Sequence, residues 1–315
     1  MRQRTLGKNG PVVAELAFGG AAISGEGRGY GFGAISEATA LDLLHACFDA
    51  GINLYDTAPV YGFGLSEERL GKAFRERRDE VVLSTKGGLV WDARHRLTVD
   101  NRPATLVDML EASLRRLGTD HVDLYFLHWP DPEVDVRTSM EALARERERG
   151  RVRHIGLSNV TAEHVRLASE IDRVEVVQNH FSLLERRPVT ELFPFLSEHH
   201  LGFLGYGTLE KGILTGRVTK DRRFDEFDLR ASAPWWVGKD HGPQYACYRR
   251  LLEVVVPHGH DGLETALGYV LQHREVSAAL VGVRSRTQLE SAVAALDRQP
   301  RPELLAEVEA ELQKG

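Results

Sequence analysis

The sequence predicts an α/β protein built as a closed (β/α)8 barrel. Eight short apolar segments have the length and composition of buried strands, and helical patterns fill the stretches between them. No linker rich in proline or glycine divides the chain, which predicts one barrel domain over residues 1–315. An open, doubly wound sheet shows the same alternation, and the count of eight favours the barrel. The predicted strands cover residues 15–19, 53–56, 81–85, 122–128, 152–157, 174–178, 202–206 and 278–283.

Turn and capping residues indicate the remaining elements. Near the N-terminus, Asn9-Gly10 lies between two apolar segments and tolerates the positive φ values of a tight hairpin turn, so we expect an N-terminal β-hairpin. Ser36, Thr105 and Thr161 are predicted to cap the helices that follow the first, third and fifth strands.

Two segments interrupt the repeat. Residues 209–262, between the last two strands, are too long for one helix and its loops. We expect a rim loop there, followed by an extra helix over residues 245–256. After the last strand, residues 302–312 have the pattern of a short amphipathic helix.

Composition narrows the class of protein. The chain is 42% hydrophobic and 27% charged, which is typical of globular proteins, and its formal net charge of -6 argues against general nucleic-acid binding. Cys47 and Cys247 form no CxxC pair, which indicates reduced thiols, and the histidines at 199–200, 258 and 260 lack partners at metal-ligand spacing, so no metal is expected. Without a signal peptide or an apolar run of about 18 residues, we expect a cytoplasmic protein with no membrane span.

Four polar side chains lie at the ends of successive predicted strands. Asp56 ends the second strand and Tyr61 follows in the next loop, while Lys86 and His128 end the third and fourth strands. Because the C-terminal ends of parallel strands share one rim of a barrel, we expect these four side chains to meet.

The four residue types suit a proton transfer. An ordinary tyrosine has a pKa near 10. An ammonium about 4 Å away, at an effective dielectric constant of about 20, would stabilise the phenolate by roughly 4 kcal/mol and bring the pKa of Tyr61 close to neutrality. We therefore predict Tyr61 as general acid in reduction and general base in oxidation, with Asp56 holding Lys86 charged and oriented. His128 would hydrogen-bond a carbonyl oxygen or relay a proton.

The segments that carry these residues resemble a known family. GINLYDTAPVYG at residues 51–62, running on to Ser66-Glu67, resembles the signature of the aldo-keto reductases. STK at 84–86 and LYFLHWP at 124–130 resemble that family's lysine and histidine segments, and the likeness extends over nearly the whole chain. YGTL at 206–209 is most similar to bacterial NADPH-dependent members linked to general stress or sugar-aldehyde metabolism. The resemblance implies an extended nicotinamide cofactor bound across the rim without a Rossmann fold.

The resemblance also implies which residues contact the cofactor. Ser158, Asn159 and Gln178 match positions that hold the nicotinamide carboxamide, and Tyr206 matches a ring that stacks on the nicotinamide. The loop that folds over the pyrophosphate is implied to contain Gly207, Leu209, Lys211 and Gly212.

The segment at 282–288 matches the one that grips the adenosine 2′-phosphate. Arg284 is the implied main contact, with Ser285, Arg286 and Gln288 in support, and Gly282 begins the segment. A bare 2′-hydroxyl would need no arginine, so NADP(H) is favoured over NAD(H).

Some positions depart from the family pattern. Ser291 and Ala292 stand where many members carry the Glu and Asn that recognise adenine, which leaves adenine with fewer specific hydrogen bonds. Phe181 and Ser182 stand where Tyr and Asn are common. None of these departures touches the proposed proton-transfer group.

Aromatic residues in rim loops predict the substrate pocket. Trp129 directly follows His128, and Trp91 and Phe32 are further candidates for its walls. The predicted activity is NADPH-dependent reduction of small aldehydes and ketones by a monomer or small homo-oligomer. Two alternatives stay open, an NAD-dependent sugar or pyridoxal dehydrogenase and a non-catalytic redox-sensing subunit similar to the potassium-channel β subunits.

Overall fold

The computed structural model describes residues 1–25 and 30–314. Its strands are β1 (Gln3–Thr5), β2 (Val12–Ala14), β3 (Leu16–Gly19), β4 (Leu54–Asp56), β5 (Val82–Gly87), β6 (Leu89–Trp91), β7 (Leu97–Val99), β8 (Val122–Leu127), β9 (Val152–Ser158), β10 (Val176–His180), β11 (Gly202–Tyr206) and β12 (Val276–Val281). Its helices are α1 (Glu37–Asp49), α2 (Leu65–Ala73), α3 (Pro103–Leu117), α4 (Val136–Glu148), α5 (Ala162–Ser169), α6 (Arg187–Glu191), α7 (Phe193–His199), α8 (Gly242–Val255), α9 (Gly262–Gln272), α10 (Arg286–Asp297) and α11 (Pro302–Gln313).

Eight of these strands form the predicted closed barrel. They are hydrogen-bonded in parallel in the order β3, β4, β5, β8, β9, β10, β11 and β12, and β12 pairs with β3 to close the ring. Each predicted strand lies within a few residues of an observed one, so the (β/α)8 prediction is confirmed. All C-terminal strand ends therefore meet at one rim.

Residues of the barrel strands alternate between two apolar cores, as the period of two along a strand requires. In β8, Leu124 and Phe126 belong to a cluster inside the barrel, whereas Tyr125 packs in the larger cluster between strands and helices. In β4, Leu54 and Tyr55 divide in the same way. Because apolar side chains fill the interior of the barrel, the polar side chains lie at its rim.

The N-terminal hairpin closes the opposite end of the barrel. β1 and β2 pair antiparallel, and Leu6 from their connection packs into the interior cluster. The positive φ predicted at Asn9-Gly10 is wrong, because the left-handed residue of this loop is Gly7, with φ of 67°. Gly10 is needed for another reason, since a Cβ there would lie 2.1 Å from the carbonyl oxygen of Leu6.

Two of the three predicted helix caps are confirmed. The hydroxyl of Ser36 accepts a hydrogen bond from Thr39 N, and Thr161 forms a capping box with His164. The Thr105 cap is wrong, because α3 already begins at Pro103, whose fixed φ and missing N–H suit the first helical position.

The two interruptions of the repeat are helical where predicted. α8 lies within residues 209–262, and α11 packs against α8 and α9. The antiparallel pair β6–β7 after β5 was not predicted. Among the described residues, none of the helices has both the length and the apolar character that crossing a membrane requires.

Candidate active site

The structure brings the four predicted residues together at the C-terminal rim. The ammonium of Lys86 donates to Asp56 Oδ2 at 2.6 Å and to the carbonyl oxygen of Thr57 at 2.8 Å. The same nitrogen lies 5.3 Å from the centre of the Tyr61 ring. The rings of Tyr61 and His128 meet edge to face, with 6.2 Å between their centres.

Asp56 is held by more than Lys86. Its Oδ1 accepts hydrogen bonds from Ser84 Oγ at 2.6 Å and from Gln178 Nε2 at 2.9 Å. Both charged partners are buried, with Asp56 only 3% exposed and Lys86 fully enclosed. A buried ion pair is stable only when its remaining hydrogen-bonding groups find partners, and here both oxygens of Asp56 and two of the three N–H groups of Lys86 have them.

Burial, rather than Lys86, dominates the ionisation of Tyr61. It raises the pKa of the phenol well above 10, and the carboxylate of Asp56 and then Tyr206 raise it further. The prediction that Lys86 brings the pKa of Tyr61 close to neutrality is therefore wrong for this structure. The physical reason is that burial disfavours the charged phenolate, and that the carboxylate of Asp56, 2.6 Å from the ammonium, opposes the effect of the ammonium charge.

The other two titratable groups are shifted towards their neutral forms. Burial lowers the pKa of His128 well below 6.5, and the charge of Lys86 lowers it further, so its imidazole is neutral at pH 7. Burial also lowers the pKa of Lys86, opposed by the charge and hydrogen bond of Asp56.

Tyr61 and His128 share an unusual property. Among the described residues, no group hydrogen-bonds the hydroxyl of Tyr61 or the imidazole of His128. Tyr61 is only partly buried and both groups lie at the rim, so two unpartnered hydrogen-bonding groups side by side indicate a place where a ligand can bind.

The backbone after Tyr61 is strained in a way that fixes its position. Gly62, Phe63 and Gly64 all have positive φ, at 63°, 51° and 104°. A Cβ on Gly62 would lie 2.2 Å from the carbonyl oxygen of Ser24, so only glycine fits there. The Gly-Phe-Gly sequence was a signal of this turn that sequence reasoning did not use.

The residues predicted to hold the carboxamide form hydrogen bonds to two of the four predicted catalytic residues, Asp56 and His128. Asn159 donates through Nδ2 to the carbonyl oxygen of His128 at 2.8 Å and accepts from the hydroxyl of Tyr206 at 2.6 Å. Ser158 Oγ donates to the carbonyl oxygen of Gln178 at 2.9 Å. Asn159 has a φ of 60°, which is unfavourable for most residues and is tolerated best by Asn and Asp.

These groups fit a nicotinamide. Nε2 of Gln178 is used by Asp56, and no described residue donates to its Oε1, which can accept an amide hydrogen. Burial raises the pKa of Tyr206 to about 12, so its ring is a neutral phenol, and it is only partly buried. One ring, that of His180, stacks on it within the described part of the chain.

The predicted pyrophosphate loop leaves β11 in left-handed turns. Gly207 and Gly212 have φ of 67° and 99°, and Lys211 also has a positive φ. The ammonium of Lys211 lies 3.3 Å from Glu210 Oε2 and 5.8 Å from the centre of the Trp235 ring. Leu209, the remaining residue predicted in this loop, packs against the core.

The predicted 2′-phosphate residues are already engaged with protein groups. Arg284 donates through Nη2 to the carbonyl oxygen of Ala34 at 2.5 Å, and its backbone N–H donates to Gln288 Oε1 at 2.7 Å. Arg286 forms a bidentate ion pair with Asp42 of α1, at 2.9 and 2.6 Å. Gly282, which precedes them, is exposed. Sequence reasoning missed Asp42, and a lone Asp on a helix carried no signal of this contact.

The side chains of Ser291 and Ala292, which depart from the family pattern, both have their contacts inside the protein. Ala292 is buried in the core between the strands and helices, and so does not face the rim. The hydroxyl of Ser291 donates to the carbonyl oxygen of Thr287 in its own helix at 2.7 Å. Neither side chain presents a hydrogen-bonding group to a base in this arrangement.

The three predicted substrate-pocket aromatics differ in their surroundings. Trp91 shares an apolar cluster with Tyr61 and Phe63, and Trp129 is 44% exposed beside His128. Phe32 does not belong to the cluster around Tyr61. It forms a backbone bridge with Asp228 that joins the first rim loop to the long loop after β11.

Comparisons with known proteins show the family that this chain matches and the relatives to which it is similar. Residues 15–312 match the Aldo/keto reductase family. The aldo-keto reductase YhdN of Bacillus subtilis is 33% identical over 92% of this chain and 87% of its own length. The NADH-specific methylglyoxal reductase of Escherichia coli is 29% identical over 94% of both chains. The structure of the glycerol dehydrogenase AKR11B4 from Gluconobacter oxydans superposes with a TM-score of 0.85 at 29% identity, covering 99% of this chain and 95% of that one.

Proposed function

Because the chain belongs to the aldo/keto reductase family, we propose that it reduces small aldehydes or ketones to alcohols with NADP(H), using Tyr61 as the proton donor. The reaction is reversible in principle, and in the oxidative direction the same residue accepts the proton.

One observation carries this proposal. The hydroxyl of Tyr61 and the neutral imidazole of His128 are both without hydrogen-bond partners among the described residues, and their rings are 6.2 Å apart. Both are hydrogen-bond donors that a carbonyl oxygen between them could accept from. A neutral imidazole donates without giving up a proton, so Tyr61 is left as the acid.

The raised pKa of Tyr61 suits the reductive direction. The phenol stays protonated at neutral pH and releases its proton only when negative charge develops on the substrate oxygen. The phenolate that results is stabilised by the ammonium of Lys86, which Asp56 and Thr57 hold 5.3 Å from the ring centre. A bound nicotinamide would supply the hydride in reduction and accept it in oxidation.

The rim also offers the groups that would hold the cofactor. Ser158, Asn159 and Gln178 would bind its carboxamide, and Tyr206 would support its ring. Arg284 is the proposed contact for a 2′-phosphate. These assignments follow from the family pattern and from the free acceptor on Gln178.

A second candidate is an NAD-dependent dehydrogenase that oxidises sugars or related alcohols. It is favoured by the ion pair between Arg286 and Asp42, which removes one arginine from the proposed phosphate site. A relative at 29% identity carries the name NADH-specific methylglyoxal reductase, which shows that this level of similarity does not fix the cofactor.

The test is an absorbance assay at the reduced nicotinamide band. Small aldehydes, hydroxy ketones and sugars would be screened with NADPH and NADH, and the matching alcohols with both oxidised cofactors. We expect the highest kcat/KM for an aldehyde or ketone with NADPH. A strong preference for NAD(H) would overturn the cofactor choice, and negligible turnover of every carbonyl would overturn the proposed activity.

A further inference from the structure

Glu210 is a buried charge that the proposed reaction does not use. It lies at the start of the loop that leaves β11 and is 6% exposed. Its Oε1 accepts a hydrogen bond from Ser182 Oγ and lies 3.1 Å from Nε2 of His180, and its Oε2 lies 3.3 Å from the ammonium of Lys211. Carboxylates are seldom enclosed unless partners hold them, and this one has three.

The contacts of Glu210 outweigh its burial. Burial alone would raise the pKa of this carboxyl, but the imidazole of His180 at 3.1 Å, together with Lys211 and Ser182, lowers it to about 2. The carboxylate is therefore ionised throughout the neutral range, and the partners around it are arranged for the charged form.

The backbone at this position needs an anchor. Glu210 and Lys211 have φ of 46° and 53°, and Gly212 follows at 99°. Consecutive left-handed residues with a Cβ are unfavourable and persist only where surrounding contacts enforce them. The side-chain contacts of Glu210 to β10 and its connection provide such enforcement.

His180 transmits this anchor to the ring of Tyr206. The two rings are stacked, with 5.5 Å between their centres and 15° between their planes. Gly207 allows His180 to pack this closely, because a Cβ there would lie 2.5 Å from His180 Cδ2. Through its hydroxyl, Tyr206 donates to Asn159, which in turn donates to the backbone carbonyl of His128.

We propose that Glu210 is a positioning residue of the cofactor site, which clamps His180 behind Tyr206 so that this ring presents a fixed surface to the nicotinamide. The inference rests on the proposed function, because Tyr206 supports a nicotinamide only if the protein binds one. Glu210 would touch neither substrate nor cofactor and would act through His180 and the backbone of its own loop.

The test measures cofactor binding and hydride stereochemistry in Glu210→Ala. Quenching of tryptophan fluorescence during titration with NADPH and NADH gives both Kd values. We expect both to rise about tenfold, as for loss of a charge-assisted buried hydrogen bond, and by the same factor, because Glu210 has no hydrogen bond or ion pair with any of residues 282–288.

Stereochemistry separates positioning from a loss of general stability. With a dinucleotide deuterated on one face of C4, the wild-type enzyme should transfer hydrogen from one face only. In Glu210→Ala the loosened ring should allow detectable transfer from the other face. Thermal unfolding midpoints would be recorded in parallel, because a variant that was only less stable would keep its stereospecificity.

Three further variants serve as controls. Glu210→Gln keeps an oxygen that Ser182 and His180 can donate to, so it should fall between wild type and Glu210→Ala. Glu185→Gln removes a carboxylate of the neighbouring loop that pairs with Arg187 and has no hydrogen bond to His180, so it should bind cofactor like wild type. If Glu210→Ala does not fold, His180→Phe tests the same contact, because it keeps a ring behind Tyr206 but loses the nitrogen that faces the carboxylate of Glu210.

The outcomes distinguish this inference from the proposed function. If wild type binds the dinucleotides and Glu210→Ala matches it in Kd and stereospecificity, the positioning role is overturned and the reductase activity is not. If wild type binds neither dinucleotide, both fall together. An equal loss in Glu185→Gln would show that the charge of the neighbourhood matters and the clamp does not.

Discussion

Each end of the proposed cofactor site contains an ion pair, which is buried at one end and exposed at the other. At the barrel end, Lys86 and Asp56 pair at 2.6 Å and are almost fully buried. At the far end, Arg286 and Asp42 also pair at 2.6 Å, but their side chains are 59% and 56% exposed. The two ion pairs have equal distances but different interaction energies, because solvent screens the Arg286–Asp42 pair and not the Lys86–Asp56 pair.

The difference teaches how each end can bind a ligand. The buried pair is fixed by Ser84, Gln178 and Thr57, so its groups need no rearrangement when the reaction occurs. The exposed arginine must exchange one anion for another, which costs little when water covers both. We expect the barrel end to set the chemistry and the far end to set the choice of dinucleotide.

The largest effect is expected from breaking the buried pair. Lys86→Met leaves the carboxylate of Asp56 enclosed with hydroxyl and amide partners alone, so the free energy of unfolding should fall by about 3–5 kcal/mol. Urea unfolding followed by circular dichroism measures the change.

The chain supplies a matched exposed pair as the control. Lys72 and Glu37 pair at 2.7 Å with both side chains nearly half exposed. Lys72→Met should leave the unfolding midpoint within experimental error, because exposed ion pairs contribute little. If the two substitutions cost the same, burial is not what distinguishes the two ends.

The next effect concerns the proton itself. Tyr61→Phe removes only the hydroxyl, and turnover should fall at least about 100-fold because general acid catalysis is typically worth that much. The Kd of the cofactor should change little, since the ring remains. Steady-state rates and fluorescence titration measure the two quantities.

The control for the tyrosine variant lies on the outside of the barrel. Tyr269 of α9 has its hydroxyl 3.5 Å from Glu309 and takes no part in the rim, so Tyr269→Phe should keep wild-type turnover. Near-normal rates in Tyr61→Phe would mean that another group delivers the proton.

The sequence could predict those features of the molecule that depend on local residue patterns. The barrel follows from apolar segments of strand length, and Asp56, Lys86 and His128 could be placed together because each ends a parallel strand. The ionisation of Tyr61 could not be predicted, because it depends on burial and on which groups accept the hydrogen bonds of Lys86.

Contacts between residues that are distant in the sequence could not be predicted either. Asp42 and Arg286 are 244 positions apart, and no local pattern marks either as the partner of the other. Glu210 appeared as one charge in a loop, and its meeting with His180 and Ser182 depends on the register of β10 against β11. The Thr105 cap failed for a local reason, since Pro103 offered an earlier start to the same helix.

At the exposed end, Arg284→Ala should raise the Kd of NADPH about tenfold more than that of NADH, because only NADPH has a 2′-phosphate to lose its partner. Fluorescence titration with both dinucleotides gives the ratio. Arg301→Ala removes an exposed charge at the start of α11 and should change neither value. Equal changes with both dinucleotides in Arg284→Ala would refute the phosphate contact.

The smallest effect is expected from the carboxylate that competes for the second arginine. Asp42→Asn releases Arg286 and removes a negative charge next to the proposed phosphate, so the Kd of NADPH should fall about threefold, as exposed pairs are weak. The Kd of NADH should not change. The gain should shrink as salt is added, because both the pair and the phosphate contact are screened.

Glu37→Gln is the control for this variant, because it removes a similarly exposed carboxylate from the same helix, and that carboxylate pairs with Lys72 instead. It should leave both Kd values unchanged. A rise in the Kd of NADPH in Asp42→Asn would mean that Asp42 orients Arg286 for the phosphate rather than competing with it. In that case the exposed end would be preorganised like the buried one, and the contrast between them would rest on burial alone.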